Sequence, residues 1–266
     1  MFDFSGKNVI VSGGTSGINL GIAESFALAG ANVFVFSRSA SKVALAVDRL
    51  RALGAQADGC ATDVRDFDAV SSAFSQCTDT FGKLDVVVSG AAGNFPCLAK
   101  NLSSNGFRAV MEIDLLGTHH VMHAAYPHLK KPGASVINIS SAHSANAMIG
   151  QSHVCAAKAG IDQITRSLAL EWGPEGIRVN SVLPGPIEGS GGMAKLFPTK
   201  ELMDAKLASI PMRRLGRNEE IGNLCLYLSS DMGTYITGGT IPCDGGSELN
   251  IQPTRYEGYL NEDSPA

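Results

Sequence analysis

The stretch Asn8-Val9-Ile10-Val11-Ser12-Gly13-Gly14-Thr15-Ser16-Gly17-Ile18-Asn19 decides the fold. Asn8 to Ser12 is a strand-length apolar run, and a helix-period stretch follows from Ile18 to Gly30. Three glycines and two hydroxyls stand between them. Glycines there let the chain turn tightly and let a pyrophosphate approach the backbone at the positive end of a helix. An ordinary strand-to-helix turn requires neither so many glycines nor the hydroxyls. Gly13, Thr15, Ser16, Gly17 and Ile18 are therefore expected to contact the phosphates of a nucleotide.

The same alternation extends outward. Strand runs are expected at Asn32 to Ser37, Asp58 to Asp63, Leu84 to Ser89, Ser135 to Ser140, Gly176 to Leu183 and Thr240 to Cys243. Helical stretches fall at about Ser41 to Leu53, Asp66 to Phe81 and about Val154 to Trp172. Strands that are apolar throughout and separated by helices imply βαβ units and a parallel sheet covered on both faces. No linker, repeat or charge block divides the chain, so residues 1–266 read as one α/β domain. The Pro- and Gly-rich segment 183–217 reads as an irregular functional loop or lid. The polar tail 250–266 reads as frayed or used in assembly.

With 266 residues, 44% hydrophobic and 17% charged, the chain can build one large core and is not disordered. A formal net charge of −4 argues against a general nucleic-acid binder. Six cysteines without a C-x-x-C pair read as reduced thiols in the cytoplasm. The N-terminus lacks a signal-peptide pattern, and no apolar run approaches the ~18 residues of a membrane helix. Ser264-Pro265-Ala266 is not a peroxisomal address.

After the second strand run the chain reads Ser37-Arg38-Ser39, with no Asp or Glu. An acidic residue there binds the 2′-hydroxyl of NAD, whereas Arg accommodates the 2′-phosphate of NADP. Arg38 is either that group or a solvated surface cation; the flanking serines favour NADP(H).

The spacing G-x-x-x-G-x-N in the turn resembles the T-G-x-x-x-G-x-G turn of short-chain dehydrogenases/reductases. Asn19 replaces the last glycine, a change that Asn's tolerance of positive φ would absorb. The resemblance spans nearly the whole chain and implies a Rossmann-type doubly wound sheet. It implies Asp63 and Val64 at the adenine, and Ala91, Ala92 and Gly93 after the fourth strand. Pro184, Gly185 and Ile187 are implied at the nicotinamide end.

That family carries an Asn-Ser-Tyr-Lys set. Lys158 and Ser141 match, but the tyrosine slot holds Val154 and the asparagine slot Asp114. Carbonyl reduction needs an acid beside the oxygen whose carbon takes the hydride, and valine has no proton to give. A conjugated dienoyl thioester escapes this demand. Hydride adds at the δ-carbon, charge collects on the thioester oxygen and the proton arrives later elsewhere, so the site needs an oxyanion stabiliser instead. Ala91 to Phe95, Ile113-Asp114, Gly117-Thr118, Ala156 to Ala159, Asp162, Glu171 to Pro174 and Pro184 to Ile187 look like 2,4-dienoyl-CoA reductases, especially the peroxisomal type. The resemblance implies a homotetramer. It makes Lys158 and Asp114 the orienting pair, Asp162 the holder of a proton-donating water, Ser141 a positioning group, and Asn94 and Phe95 the border of the acyl chain.

Other readings stand beside these. Asp162 is otherwise an exposed partner of Lys158 one turn away, and His153 is the rival acid. His119 and His123 have metal spacing but no third ligand, and read as part of a helix in a subunit interface. Arg213, Arg214, Arg217, Lys195, Lys200 and Lys206 either bind the phosphates of an acyl-CoA or form a solvated face. The chain as a whole is alternatively an atypical reductase of a ketone, steroid or quinone, or a non-catalytic NADP(H)-binding regulator.

Overall fold

The computed structural model describes residues 2–190, 197 and 199–249. Its strands are β1 (Asn8–Ser12), β2 (Asn32–Ser37), β3 (Ala57–Ala61), β4 (Val86–Ser89), β5 (Ser135–Ile139), β6 (Arg178–Pro184) and β7 (Thr240–Cys243). They form a seven-stranded sheet in the order β3-β2-β1-β4-β5-β6-β7, parallel at every pairing. All the strand runs expected from the sequence are present, with only their ends shifted.

The strands are apolar throughout because each face has its own core. Val9, Val11, Val33, Val35, Val86, Val88, Ile137 and Val182 point into one cluster; Ile10, Phe34, Phe36, Val87, Val136 and Val179 point into the other. This is the period-2 alternation of a strand buried on both sides. The first face is covered by α1 (Gly17–Leu28), α2 (Ala40–Ala52) and α8 (Asn218–Ser229), the second by α3 (Phe67–Phe81), α5 (Gly117–Ala125) and α6 (Ser152–Trp172). Gly21 and Gly222 let α1 and α8 approach closely, since a Cβ on either would run into Asn218 or Ser25.

Two more helices, α4 (Ser104–Val110) and α7 (Lys200–Ser209), complete the described set. Helix α7 lies inside the segment expected to be irregular; the Thr199 hydroxyl caps it by accepting from the Leu202 amide at 3.3 Å. Gly191, Gly192, Lys195, Pro198 and the tail 250–266 lie outside the described residues. Among the described residues, no helix is long and apolar enough to cross a membrane.

Phe26 is fully buried and meets Phe4 edge-on at 5.1 Å between ring centroids. Phe26→Ala is expected to lower the unfolding free energy by about 3–5 kcal/mol, read from urea denaturation, through lost burial and the cavity left behind.

Candidate active site

In a parallel sheet every strand ends at the same edge, and here the chain leaving each strand contributes to one cavity of about 570 Å³. Gly13 follows β1, Ser37 ends β2, Thr62 follows β3, Gly90 follows β4, Ser140 follows β5, Pro184 ends β6 and Asp244 follows β7; all line it. The cavity opens where the strand order reverses between β1 and β4, as doubly wound sheets dictate.

The glycine turn is shaped for a phosphate. Gly13 has φ +69° and Gly17 φ +55°, and a Cβ on Gly13 would meet the Ala91 Cα at 2.9 Å. Thr15, Ser16, Gly17 and Ile18 line the cavity at the N-terminus of α1. Asn19 is not in the left-handed region, contrary to the reason the sequence suggested. It lies within α1, and its Nδ2 donates to the Gly90 carbonyl at 2.7 Å, tying the turn to the end of β4. Thr15 Oγ1 donates to Ser37 Oγ at 2.9 Å. Arg38, Ser39 and Lys42 line the cavity beyond β2, and Asp63 and Val64 line it beyond β3. The Arg65 guanidinium, 2.6 Å from Asp63, holds that carboxyl below the usual carboxylate range.

Lys158 and Asp114 come together at the other end. Asp114 sits in the π-helical turn Met111–Leu116 between α4 and α5, a distortion common at functional sites. Its Oδ1 accepts from the Gly93 amide at 2.7 Å, and its Oδ2 lies 3.5 Å from Lys158 Nζ. Lys158 Nζ also donates to the Ile139 carbonyl at 3.0 Å. The two side chains are 1% and 8% exposed, so neither charge is offset by water. Burial pushes the Asp114 carboxyl up; Lys158 and the Gly93 amide oppose that push. Ser141 Oγ is buried without a hydrogen-bond partner, and Val154 lines the wall at the tyrosine slot. Ala91, Ala92, Gly93, Asn94, Pro184 and Gly185 line the cavity as expected.

Several expected residues lie elsewhere. Asp162, one turn beyond Lys158 on α6, is 4% exposed and outside the cavity wall, and its Oδ1 is buried without a hydrogen-bond partner. Its burial also removes the exposed-partner reading. Ile187 packs into the core at 1% exposure while its neighbour Pro186 lines the cavity. Phe95 lies outside the wall and packs against the His153 ring at 4.7 Å. His153 itself is fully buried, with Nε2 2.9 Å from the Phe95 carbonyl oxygen. Of the described members of the basic cluster, only Lys206 lines the cavity. Arg214 and Arg217 pair with Glu220 and Glu219, Lys200 pairs with Asp204, and Arg213 donates to the Ala208 carbonyl. His119 and His123 are exposed on α5, with the His123 ring 5.1 Å from Phe67. Among the described residues no group of three or more His, Cys, Asp or Glu could hold a metal.

The sequence reading missed Lys42, Thr62, His143, Met148 and Asp244 on the wall. Asp244 had a signal in hindsight: it directly follows the last strand, at the edge where ligands bind. Asp114→Ala would leave the Lys158 ammonium buried without its counter-charge. It is expected to cost about 3–5 kcal/mol in urea unfolding, with Asp114→Asn milder because it keeps the acceptor for Gly93.

Residues 13–248 match the family model described as enoyl-(acyl carrier protein) reductase. The chain is 42% identical over 255 residues to the peroxisomal 2,4-dienoyl-CoA reductase of Arabidopsis thaliana, covering 92% of this chain and 85% of that protein. The peroxisomal 2,4-dienoyl-CoA reductase of Rattus norvegicus is 40% identical, with the same coverage. A short chain dehydrogenase from Bacillus anthracis superposes with TM-score 0.83 at 35% identity, covering 93% of this chain and 99% of that one. A short chain dehydrogenase from Burkholderia cenocepacia in complex with NADP gives TM-score 0.85 at 27% identity, with coverage of 92% and 98%. A chain with this sheet, this glycine turn and this lysine, matched over nine-tenths of its length, belongs to the short-chain dehydrogenase/reductase family of nicotinamide-dependent oxidoreductases.

Proposed function

We propose that the protein is an NADPH-dependent reductase of conjugated acyl-CoA thioesters, converting a 2,4-dienoyl-CoA to an enoyl-CoA. The observation that carries this reading is Val154: it occupies the wall where a phenol would protonate a carbonyl oxygen, and among the described residues no tyrosine lines the cavity. A dienoyl thioester needs no acid there, because hydride and proton land on different carbons. The relatives named as 2,4-dienoyl-CoA reductases support the same substrate class.

The residues fit a dinucleotide. The left-handed Gly13 and Gly17, the close approach of Gly13 to Ala91 and the hydroxyls of Thr15 and Ser16 suit its pyrophosphate. Arg38 and Lys42, with Ser37 and Ser39, would hold the 2′-phosphate of NADP(H). Lys158, braced by Asp114 and Ile139, would bind the nicotinamide ribose. Bound there, the cofactor supplies the hydride. Ser141 Oγ is a free donor for the thioester oxygen, and Lys158 adds positive charge nearby. The proton comes from a water. Asp162, whose buried Oδ1 has no hydrogen-bond partner, is the carboxylate that holds it, and Asp244 lines the cavity without being engaged by Lys158. Asn94 borders the acyl chain, and Lys206, half-buried beside Asp244, is the cation placed for a CoA phosphate.

Assembly as a homotetramer and residence in the cytoplasm belong to the same proposal. Leu116, Leu170, Met232 and Tyr235 are exposed apolar side chains suited to subunit contacts, and all six cysteines are free thiols. The experiment is NADPH oxidation with trans-2,trans-4-hexadienoyl-CoA, run beside NADH and a simple ketone. Turnover of the dienoyl ester with NADPH is expected; turnover of the ketone alone would overturn the substrate class. Arg38→Asp is expected to weaken NADPH binding by about 10- to 100-fold while leaving NADH nearly unchanged, read by fluorescence titration.

A further inference from the structure

With valine at position 154, the substrate's carbonyl oxygen lacks the hydrogen-bond donor that a phenol would supply. Two histidines lie close enough to be considered, and the structure separates them. His153, adjacent to the slot, is fully buried, is not a wall residue, and has Nε2 committed to the Phe95 carbonyl. His143 lines the cavity on the 3-10 turn Ala142–Ser144, two residues past Ser141, in company with Met148, Val154 and Lys158.

His143 Nε2 lies 2.9 Å from the Met148 thioether sulfur. A thioether only accepts, and accepts weakly. The contact therefore assigns the ring hydrogen to Nε2 and leaves it on a partner that a stronger acceptor displaces. Burial holds the imidazole below the ordinary histidine range, and the ammoniums of Lys158 on α6 and Lys206 on α7 push the same way. The ring is therefore neutral at neutral pH. A neutral imidazole N–H can stabilise a developing oxyanion without adding a third cation beside Lys158 and Lys206.

We propose that His143 is a catalytic residue. Its Nε2–H leaves the Met148 sulfur and donates to the carbonyl oxygen of the bound substrate, where negative charge collects during reduction. Ser141 Oγ, buried and unpartnered on the same segment, is the second donor. The two replace the missing phenol as hydrogen-bond donors, and neither gives up its proton. The inference rests on the acyl-CoA reading for the identity of the carbonyl, and on the cavity wall for the identity of the donor.

The test compares wild type, His143→Ala and His143→Gln in kcat with trans-2,trans-4-hexadienoyl-CoA and NADPH, alongside NADPH affinity by fluorescence. His143→Ala is expected to lower kcat by about 100-fold or more with NADPH affinity within about threefold, and the amide N–H of His143→Gln to restore about tenfold of the loss. If the alanine variant fails to bind NADPH, His143→Phe, which fills the ring's volume without an N–H, takes its place. The second readout is the 15N spectrum of histidine-labelled protein at neutral pH, with His143 assigned by its loss in the variant. It should show a neutral ring protonated at Nε2, whose signal moves when trans-2-hexenoyl-CoA is added. A kcat within about threefold of wild type, an imidazolium signal, or a signal that the thioester leaves unmoved overturns the proposal. If wild type reduces the ketone but not the dienoyl ester, the acyl-CoA reading falls. The His143 comparison is then read on the ketone, whose oxygen accepts the same hydrogen bond and takes its proton from a water. Wild type inactive on both overturns both.

Discussion

The ammonium of Lys158 is buried in the floor of the cavity, and the surrounding chain is arranged to make that tolerable. An unpaired buried charge costs several kcal/mol, so the position is stable only if a counter-charge and hydrogen-bond acceptors are already in place. Asp114 supplies the charge at 3.5 Å and the Ile139 carbonyl supplies the acceptor. Asp114 is itself fixed by the Gly93 amide and by a π-helical turn that re-aims its side chain between two α-helical stretches. Two strand ends and two helical segments thus converge on one ion pair. The buried Asn138–Thr165–Ser181 network fixes α6, the helix that carries the lysine, against β5 and β6.

The same geometry explains why a chain of net charge −4 suits an anionic ligand. Arg38, Lys42, Lys158 and Lys206 face one cavity, and the N-terminus of α1 adds its dipole at the glycine turn. Asp114 is occupied by Lys158, and Asp63 by Arg65. Asp244 accepts from the Gly246 and Glu248 amides at 2.9 and 2.6 Å, which orients its carboxylate without neutralising it. Overall charge describes how the molecule meets solvent; the potential in the cavity is set by which side chains the strand ends deliver there.

Much of this was legible in the residues. Periodicity is local, so alternating apolar runs predicted all seven strands, and the family resemblance implied the doubly wound sheet that they form. The phosphate turn was legible because its chemistry lies within one short segment. Lys158, Asp114 and Ser141 were found by family spacing and do lie on the wall. The helices at Lys200–Ser209 and Asn218–Ser229 were missed. Prolines surround the first, whose cap at Thr199 is its strongest local mark, and the second opens with a Glu220–Arg217 cap on an unusual residue.

The sequence by itself determined which segments become strands and helices and which turn accepts phosphate, because those depend on residues that are neighbours in the chain. Which polar side chains share the cavity was decided by tertiary structure. His153 and His143 are equivalent as residue types. They are separated by the rotation of α6 on the sheet and by where the end of β5 releases the chain. That rotation is fixed by packing of α6 against β6, the π-helical turn that carries Asp114 and the turn that carries His143, contacts between segments that no local pattern records.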